Sequence, residues 1–121
     1  NLGNYNETIN SGNEVLKLAP DNESATLMIG IAYLSKGDFN NSRMNFENNI
    51  KINPRNAIAH YYLALVKDKQ NNLSGALASA LKSIEVNPRF KNGYILVGSL
   101  YQKQGDMVNA ERYKLAAENI K

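Results

Sequence analysis

The chain has 121 residues, 43% of them hydrophobic, with a formal net charge of +3, so it is long and apolar enough to bury a core as one domain. Cysteine is absent, which excludes disulfides, thiolate metal sites and cysteine nucleophiles, and no apolar run approaches the roughly 18 residues of a membrane span. Residues 1–60 carry six acids and five bases and residues 61–121 five acids and nine bases; Lys17, Lys51 and Lys82 are read as cations complementing helix C-termini, leaving only a faint nucleic-acid footprint.

Residues 5–18 read as a helix whose apolar stripe is Tyr5, Ile9, Val15, Leu16 and Leu18, weakened at Gly12. Gly3-Asn4 reads as the turn within a repeat whose first helix would precede residue 1. Tyr5, Ile9 and Val15 are then expected to need cover from such a helix or from another molecule. The helix stops at Lys17-Leu18-Ala19-Pro20-Asp21-Asn22, because proline lacks an N–H and disfavours αR in the residue before it. Asp21 or Asn22 can cap a helix over 23–36, which Gly37-Asp38 breaks before a second helix over 39–52. Lys51-Ile52-Asn53-Pro54-Arg55-Asn56 repeats the stop signal. Helices over 57–70 and 73–86 flank a turn at Asn71-Asn72. After Glu85-Val86-Asn87-Pro88-Arg89-Phe90, helices over 91–104 and 107–120 flank Gly105-Asp106. The result is seven helices and no strand. Pro20, Pro54 and Pro88 are spaced by 34 residues, the period of a helix-turn-helix repeat.

Comparison across that period locates the packing. Gly30, Ala64 and Gly98 correspond, as do Ser42, Ala76 and Ala110. Small residues at both positions let paired antiparallel helices approach closely. Ile29, Leu63 and Val97 fill the adjacent core, and Tyr33 and Tyr101 span the pair. Four Asn-X-Ser/Thr sequons, at Asn6, Asn22, Asn40 and Asn72, are read as by-products of an asparagine-rich composition.

These residues resemble the tetratricopeptide repeat (TPR) family over nearly the whole chain. The family's Leu-Gly, Tyr, Ala, Phe and Pro positions are met by Ile29-Gly30, Tyr33, Ser42, Phe46 and Pro54 in one copy. The next copy offers His60, Leu63-Ala64, Ala76, Ala80 and Pro88, and the last Tyr94, Val97-Gly98, Tyr101 and Ala110. Lys67 departs from the family's aromatic, Lys114 from its second-helix Phe, and Thr26 from a bulky residue; each is expected to loosen packing by about 1–2 kcal/mol.

The resemblance implies an all-α, right-handed α-solenoid of antiparallel helix pairs, a single TPR domain over 1–121. Residues 1–22 would supply the second helix of a partial repeat, with repeats at 23–56, 57–90 and 91–121. It further implies a non-catalytic protein–protein interaction module whose first helices line a concave groove. Read onto this chain, that groove is apolar and offers Leu27, Met28, Ile31 and Leu34, then Ile58, Tyr61, Tyr62, Leu65 and Lys69, then Ile95, Leu96, Ser99 and Lys103. A peptide or amphipathic helix of a partner is the expected guest, anchored on Tyr61 and Tyr62. The basic side chains with which some family members clamp acidic tails are replaced by Leu27, Ile31, Tyr62, Asn92 and Leu96, so tail capture is not expected. Glu111 and Glu118 make the last helix's outer face polar, as a capping repeat requires.

Catalytic chemistry is not legible. His60, the single histidine, is assigned to helix-pair packing, and Asp21, Asp38 and Asp106 to caps and turns. No phosphate loop, Ser/His/Asp set or metal spacing occurs, so no enzyme activity, cofactor, nucleic-acid partner or membrane insertion is expected. The alternatives to an adaptor are a scaffold that self-associates through the uncovered N-terminal helix and, less favoured, an RNA-binding helical repeat. The compartment is left open, with the cytoplasm favoured over an extracytoplasmic location.

Overall fold

The computed structural model describes the backbone of residues 2–121 and the side chains of residues 3–121. Among them are seven α-helices and no strand: α1 (Leu2–Leu18), α2 (Glu23–Lys36), α3 (Phe39–Ile52), α4 (Ala57–Lys69), α5 (Leu73–Val86), α6 (Lys91–Lys103) and α7 (Met107–Glu118). They form two compact units, Asn1–Pro54 and Arg55–Lys121, divided at the second of the proline signals.

The chain spends its asparagines and aspartates on the helix starts. Asn22 Oδ1 accepts from the Ala25 N–H at 2.9 Å, Asn56 Oδ1 from those of Ile58 and Ala59, and Asn72 Oδ1 from that of Gly75 at 3.0 Å. Asp38 and Asp106 do the same for Asn41 and Asn109. The Asn109 side chain, its backbone N–H and then Arg112 hold the Asp106 carboxyl below its usual pKa. Two of the four sequon asparagines, Asn22 and Asn72, are therefore caps.

Each turn inside a helix pair needs one residue with positive φ, and these fall one period apart: Gly37 at 84°, Asn71 at 62° and Gly105 at 82°. Asparagine is the side chain that tolerates this region best. Asn71→Val should therefore cost about 1–2 kcal/mol, and Asn71→Gly should be tolerated; urea denaturation of the two variants checks this.

In the first unit α2 packs between α1 and α3. The close approach of α2 and α3 is at Gly30, where the Ser42 hydroxyl donates to the Gly30 carbonyl at 2.7 Å. A Cβ on Gly30 would lie 2.6 Å from the ring of the fully buried Phe46. Deeper in the same pair, the buried Asn49 amide donates to the Glu23 carbonyl at 2.8 Å and to Thr26 Oγ1 at 2.9 Å. Thr26 is thus not a loosened contact but half of a buried polar pair, which corrects the expectation from its size. On the other side, Ile9 of α1 is buried with Ile29 and Ala32, flanked by Tyr5, Leu16 and Tyr33.

The second unit is built on Ala64, Ala76, Ala80, Leu96, Val97 and Leu100, with Tyr61, Leu65, Leu81 and Ile84 packed around them. α5 lies against both α4 and α6, and α4 and α6 touch each other. Tyr101 and Tyr113 stack at 5.6 Å between α6 and α7. The two lysines that replace family aromatics reach polar partners: Lys67 Nζ donates to Ser79 Oγ at 3.1 Å and Lys114 Nζ to Gln102 Oε1 at 3.0 Å. Long side chains of this kind pack their stems and keep the charge solvated.

Three local expectations are corrected. Gly3-Asn4 is helical, inside α1 rather than a turn before it. Lys82 precedes the last turn of α5 and pairs with Glu85 at 3.4 Å. The outer face of α7 is only partly polar, because Met107, Val108 and Leu115 are exposed beside Glu111 and Glu118.

Candidate interaction surfaces

In the second unit the expected contact residues recur every three or four positions on α4, at Ile58, Tyr61, Tyr62, Leu65 and Lys69, which is one helix face. Ile95, Ser99 and Lys103 make the matching stripe on α6. Ile58 and Ile95 are 44% and 49% exposed, and Tyr61, Tyr62 and Leu65 are half-buried. Tyr61 sits edge-on to Tyr62, with ring centroids 5.4 Å apart, and to Phe90 at 5.5 Å. Burial, and then the neighbouring Tyr62, pushes the Tyr61 phenol above its ordinary pKa. Tyr61 is thereby held between two rings.

Leu96 departs from its expected role: it is 9% exposed and belongs to the core cluster that Tyr61 and Leu65 cover. It supports the surface without forming it. Lys103 is also committed, its Nζ 2.6 Å from Asp68 Oδ2, a bridge between the last turns of α6 and α4. Lys69 is exposed beside that bridge. The face is therefore apolar toward Ile58 and Ile95 and ionic at its other end.

In the first unit Leu27, Ile31 and Leu34 are half-buried and Met28 is 56% exposed. Met28 and Ile31 turn toward α1, lining with Tyr5, Thr8, Ala32 and Ser35 a hollow of about 210 Å³. A larger hollow of about 610 Å³ lies alongside it, between Thr8, Ser11, Gly12 and Val15 of α1 and Ala25 and Met28 of α2. Of the residues expected to need cover, Ile9 has it from α2, whereas Val15 remains 41% exposed.

Phe90 is the contact residue that sequence reading passed over. Its place in the repeat belongs to the capping residues Asn22 and Asn56, and α6 has no side-chain cap. An aromatic at a capping position is the signal that could have identified it. His60 is buried in α4 as expected. Among the described residues no group of three His, Asp or Glu side chains is placed to hold a metal, and no helix is long and apolar enough to cross a membrane.

The family signature described as tetratricopeptide repeat matches residues 24–56. The Hsp70-Hsp90 organising protein of Plasmodium falciparum (isolate 3D7) is 30% identical over 90 residues, 74% of this chain and 16% of that protein. The chain thus spans about a sixth of that relative's length. Among solved structures, MamA superposes with a TM-score of 0.88 at 22% identity, over 98% of this chain and 70% of that one. MamA 41-end from Desulfovibrio magneticus RS-1 gives 0.87 at 22% identity, over 99% and 68% of the two chains. The TPR2B domain of yeast Sti1, in its pHsp70 complex, gives 0.76 at 24% identity, over 78% and 76%. Such modules mediate protein–protein interaction. The repeat period, the paired helices with small residues at each crossing, and these likenesses agree: residues 24–56 are a tetratricopeptide repeat, and the chain has the all-α fold of that family.

Proposed function

We propose that this chain is a non-catalytic adaptor that binds a peptide or amphipathic helix of a partner protein on the apolar faces of its first helices. The observation that carries this reading is the surface of α4 and α6. Ile58, Tyr62 and Ile95 present apolar side chains to solvent on two adjacent helices, whereas exposed large apolar groups on a protein surface are usually scattered singly. Tyr62 offers a rigid ring and a hydroxyl, and it packs edge-on against Tyr61, which Phe90 holds in turn. Rings held in place in this way lose little entropy when a guest arrives.

Capture of an acidic tail finds little support here. Leu27, Ile31 and Tyr62 stand where basic groups would be needed, and Lys103 is already paired with Asp68. A guest with an acidic residue near Lys69 and apolar residues at helical spacing fits better.

Selection of a peptide library against the chain tests the reading, followed by titration of the selected peptides. Tyr62→Glu should weaken binding by at least about 10-fold, as loss of a tyrosine anchor does, with helicity by circular dichroism unchanged. Met44→Glu, at an exposed position on α3, should leave it unaltered. Equal binding by Tyr62→Glu and the parent chain would remove the α4–α6 face as the site.

A further inference from the structure

Of the chain's 19 asparagines, only Asn92 is followed by a glycine. An asparagine in that setting is chemically the least durable, because with no Cβ beside it the next backbone nitrogen can reach the carbon of the side-chain amide. Here the glycine is dictated by packing. A Cβ on Gly93 would lie 2.6 Å from Ile84 Cγ2 and 2.7 Å from Ser83 Oγ, where the start of α6 meets the end of α5, and Ser83 is fully buried. No side chain that would shield Asn92 fits at 93, and Asn92 itself is exposed.

A helix ordinarily protects such a pair, since it turns the next nitrogen away from the side-chain amide and engages its N–H. At this place the protection is thin. Asn92 is the second residue of α6, and of α2–α7 only α6 starts without a side-chain cap. Phe90, at the capping position, packs against Tyr61 instead. The Gly93 N–H donates to the Phe90 carbonyl at 3.0 Å, a bond of the terminal turn, and helix ends are where fraying begins.

We propose that Asn92 is a self-modification site that turns the start of α6 acidic. In the frayed turn the Gly93 nitrogen gives up its proton and bonds to Asn92 Cγ. The bond from Cγ to the side-chain nitrogen breaks, ammonia leaves, and a succinimide remains. Water then opens the ring, at Cγ to give aspartate or at the backbone carbonyl to give isoaspartate. Water is the only reactant consumed, and the rate rises with pH because the attacking nitrogen must be deprotonated. Either product brings a carboxylate to a helix start that has no acid in its first turn, where the helix dipole favours one. The new charge stands one turn before Ile95 and one period, 92 − 58 = 34 residues, after Ile58. Its consequence for binding rests on the adaptor reading: the apolar end of the α4–α6 face gains a negative charge and turns against guests that carry an acid there.

The test incubates the intact chain in heavy-oxygen water at mildly alkaline pH and follows it by tryptic mass spectrometry. The peptide 92–103, set off by Lys91 and Lys103, holds no other asparagine. It should exchange its amide nitrogen for one heavy oxygen before any other asparagine peptide does, in two products of equal mass. Asn92→Gln, whose longer side chain closes the ring poorly, should abolish the change with helicity intact, and Phe90→Asn, which restores a cap, should slow it by about 2-fold or more. Asn92→Asp should bind those selected peptides that place an acid opposite Ile95 about 2- to 5-fold more weakly. Conversion of other asparagines first, or conversion of Asn92 only in urea, would overturn the proposal. Unaltered binding by Asn92→Asp would overturn the consequence for the face alone, whereas a chain that selects no peptide would count against the adaptor reading and leave the mass result to decide the chemistry.

Discussion

Phe46→Ala should cost the first unit about 3–5 kcal/mol, the range for removing a fully buried ring, and should melt α2 and α3 together. The ring has no exposed surface, and it lies where a Cβ on Gly30 would stand, with three ring carbons within 2.6–2.9 Å of that point. Gly30 is therefore glycine because the ring occupies the space. The test is a double-mutant cycle. Gly30→Ala alone gains about 1 kcal/mol of helix propensity, yet it forces the ring aside at a typical overpacking cost of about 1–3 kcal/mol. Net destabilisation is expected. With Phe46→Leu in place, Gly30→Ala should lose most of its cost, giving a coupling on the order of 1 kcal/mol. A Gly30→Ala variant that gains the full propensity term by urea denaturation would show that the two helices have room to spare.

Helix positions were legible because their signals are local. Proline, the αL residues Gly37, Asn71 and Gly105, and the Asn and Asp caps each act within one turn of the chain, and the 34-residue comparison brought out the small residues at the crossings. Exposure was less legible. Ile95 and Leu96 are adjacent and equally apolar, yet one is on the surface and the other in the core. The difference is about 100° of helix rotation together with the Tyr61 and Leu65 side chains packed against the core cluster to which Leu96 belongs. A reading by family position places both in the groove, since it has no account of what covers each residue. The same gap explains Ile9, which α2 buries, and α7, where Met107 and Leu115 stay in solvent beside the two glutamates. Phe90 was missed for a different reason: its contact with Tyr61 joins the approach to α6 with α4, outside the window in which capping signals are read.

Asn49→Ala should be the most damaging polar substitution in the chain, at about 2–4 kcal/mol. The reason lies in a layer that the repeat fills differently each time. Thr26 with Asn49, His60 with Ser83 and Tyr94 with Ala117 occupy equivalent places, and the second-helix residue is buried in every copy. As the first-helix residue grows from threonine to tyrosine, the second-helix residue shrinks from asparagine to alanine. The second-helix residue thus shrinks as its partner grows, the direction that close packing demands. A short threonine opposite alanine would leave a void, so Asn49 fills the space, and its amide must then be hydrogen-bonded because it is buried. Thr26 Oγ1 and the Glu23 carbonyl accept those bonds. Alanine at 49 removes the volume and takes the amide donor from both acceptors, of which the Glu23 carbonyl keeps only the Thr26 hydroxyl among side-chain donors, so two costs add. Asn49→Leu restores volume but not bonding and should recover part of the loss. Thr26→Val with Asn49→Leu should recover more, because replacing both members of a buried polar pair is milder than removing one. Chemical denaturation of the four chains orders them: parent most stable, then the double variant, then Asn49→Leu, then Asn49→Ala. If Asn49→Ala were no worse than about 0.5 kcal/mol, as for a surface change, the layer would not be packed as a complementary pair.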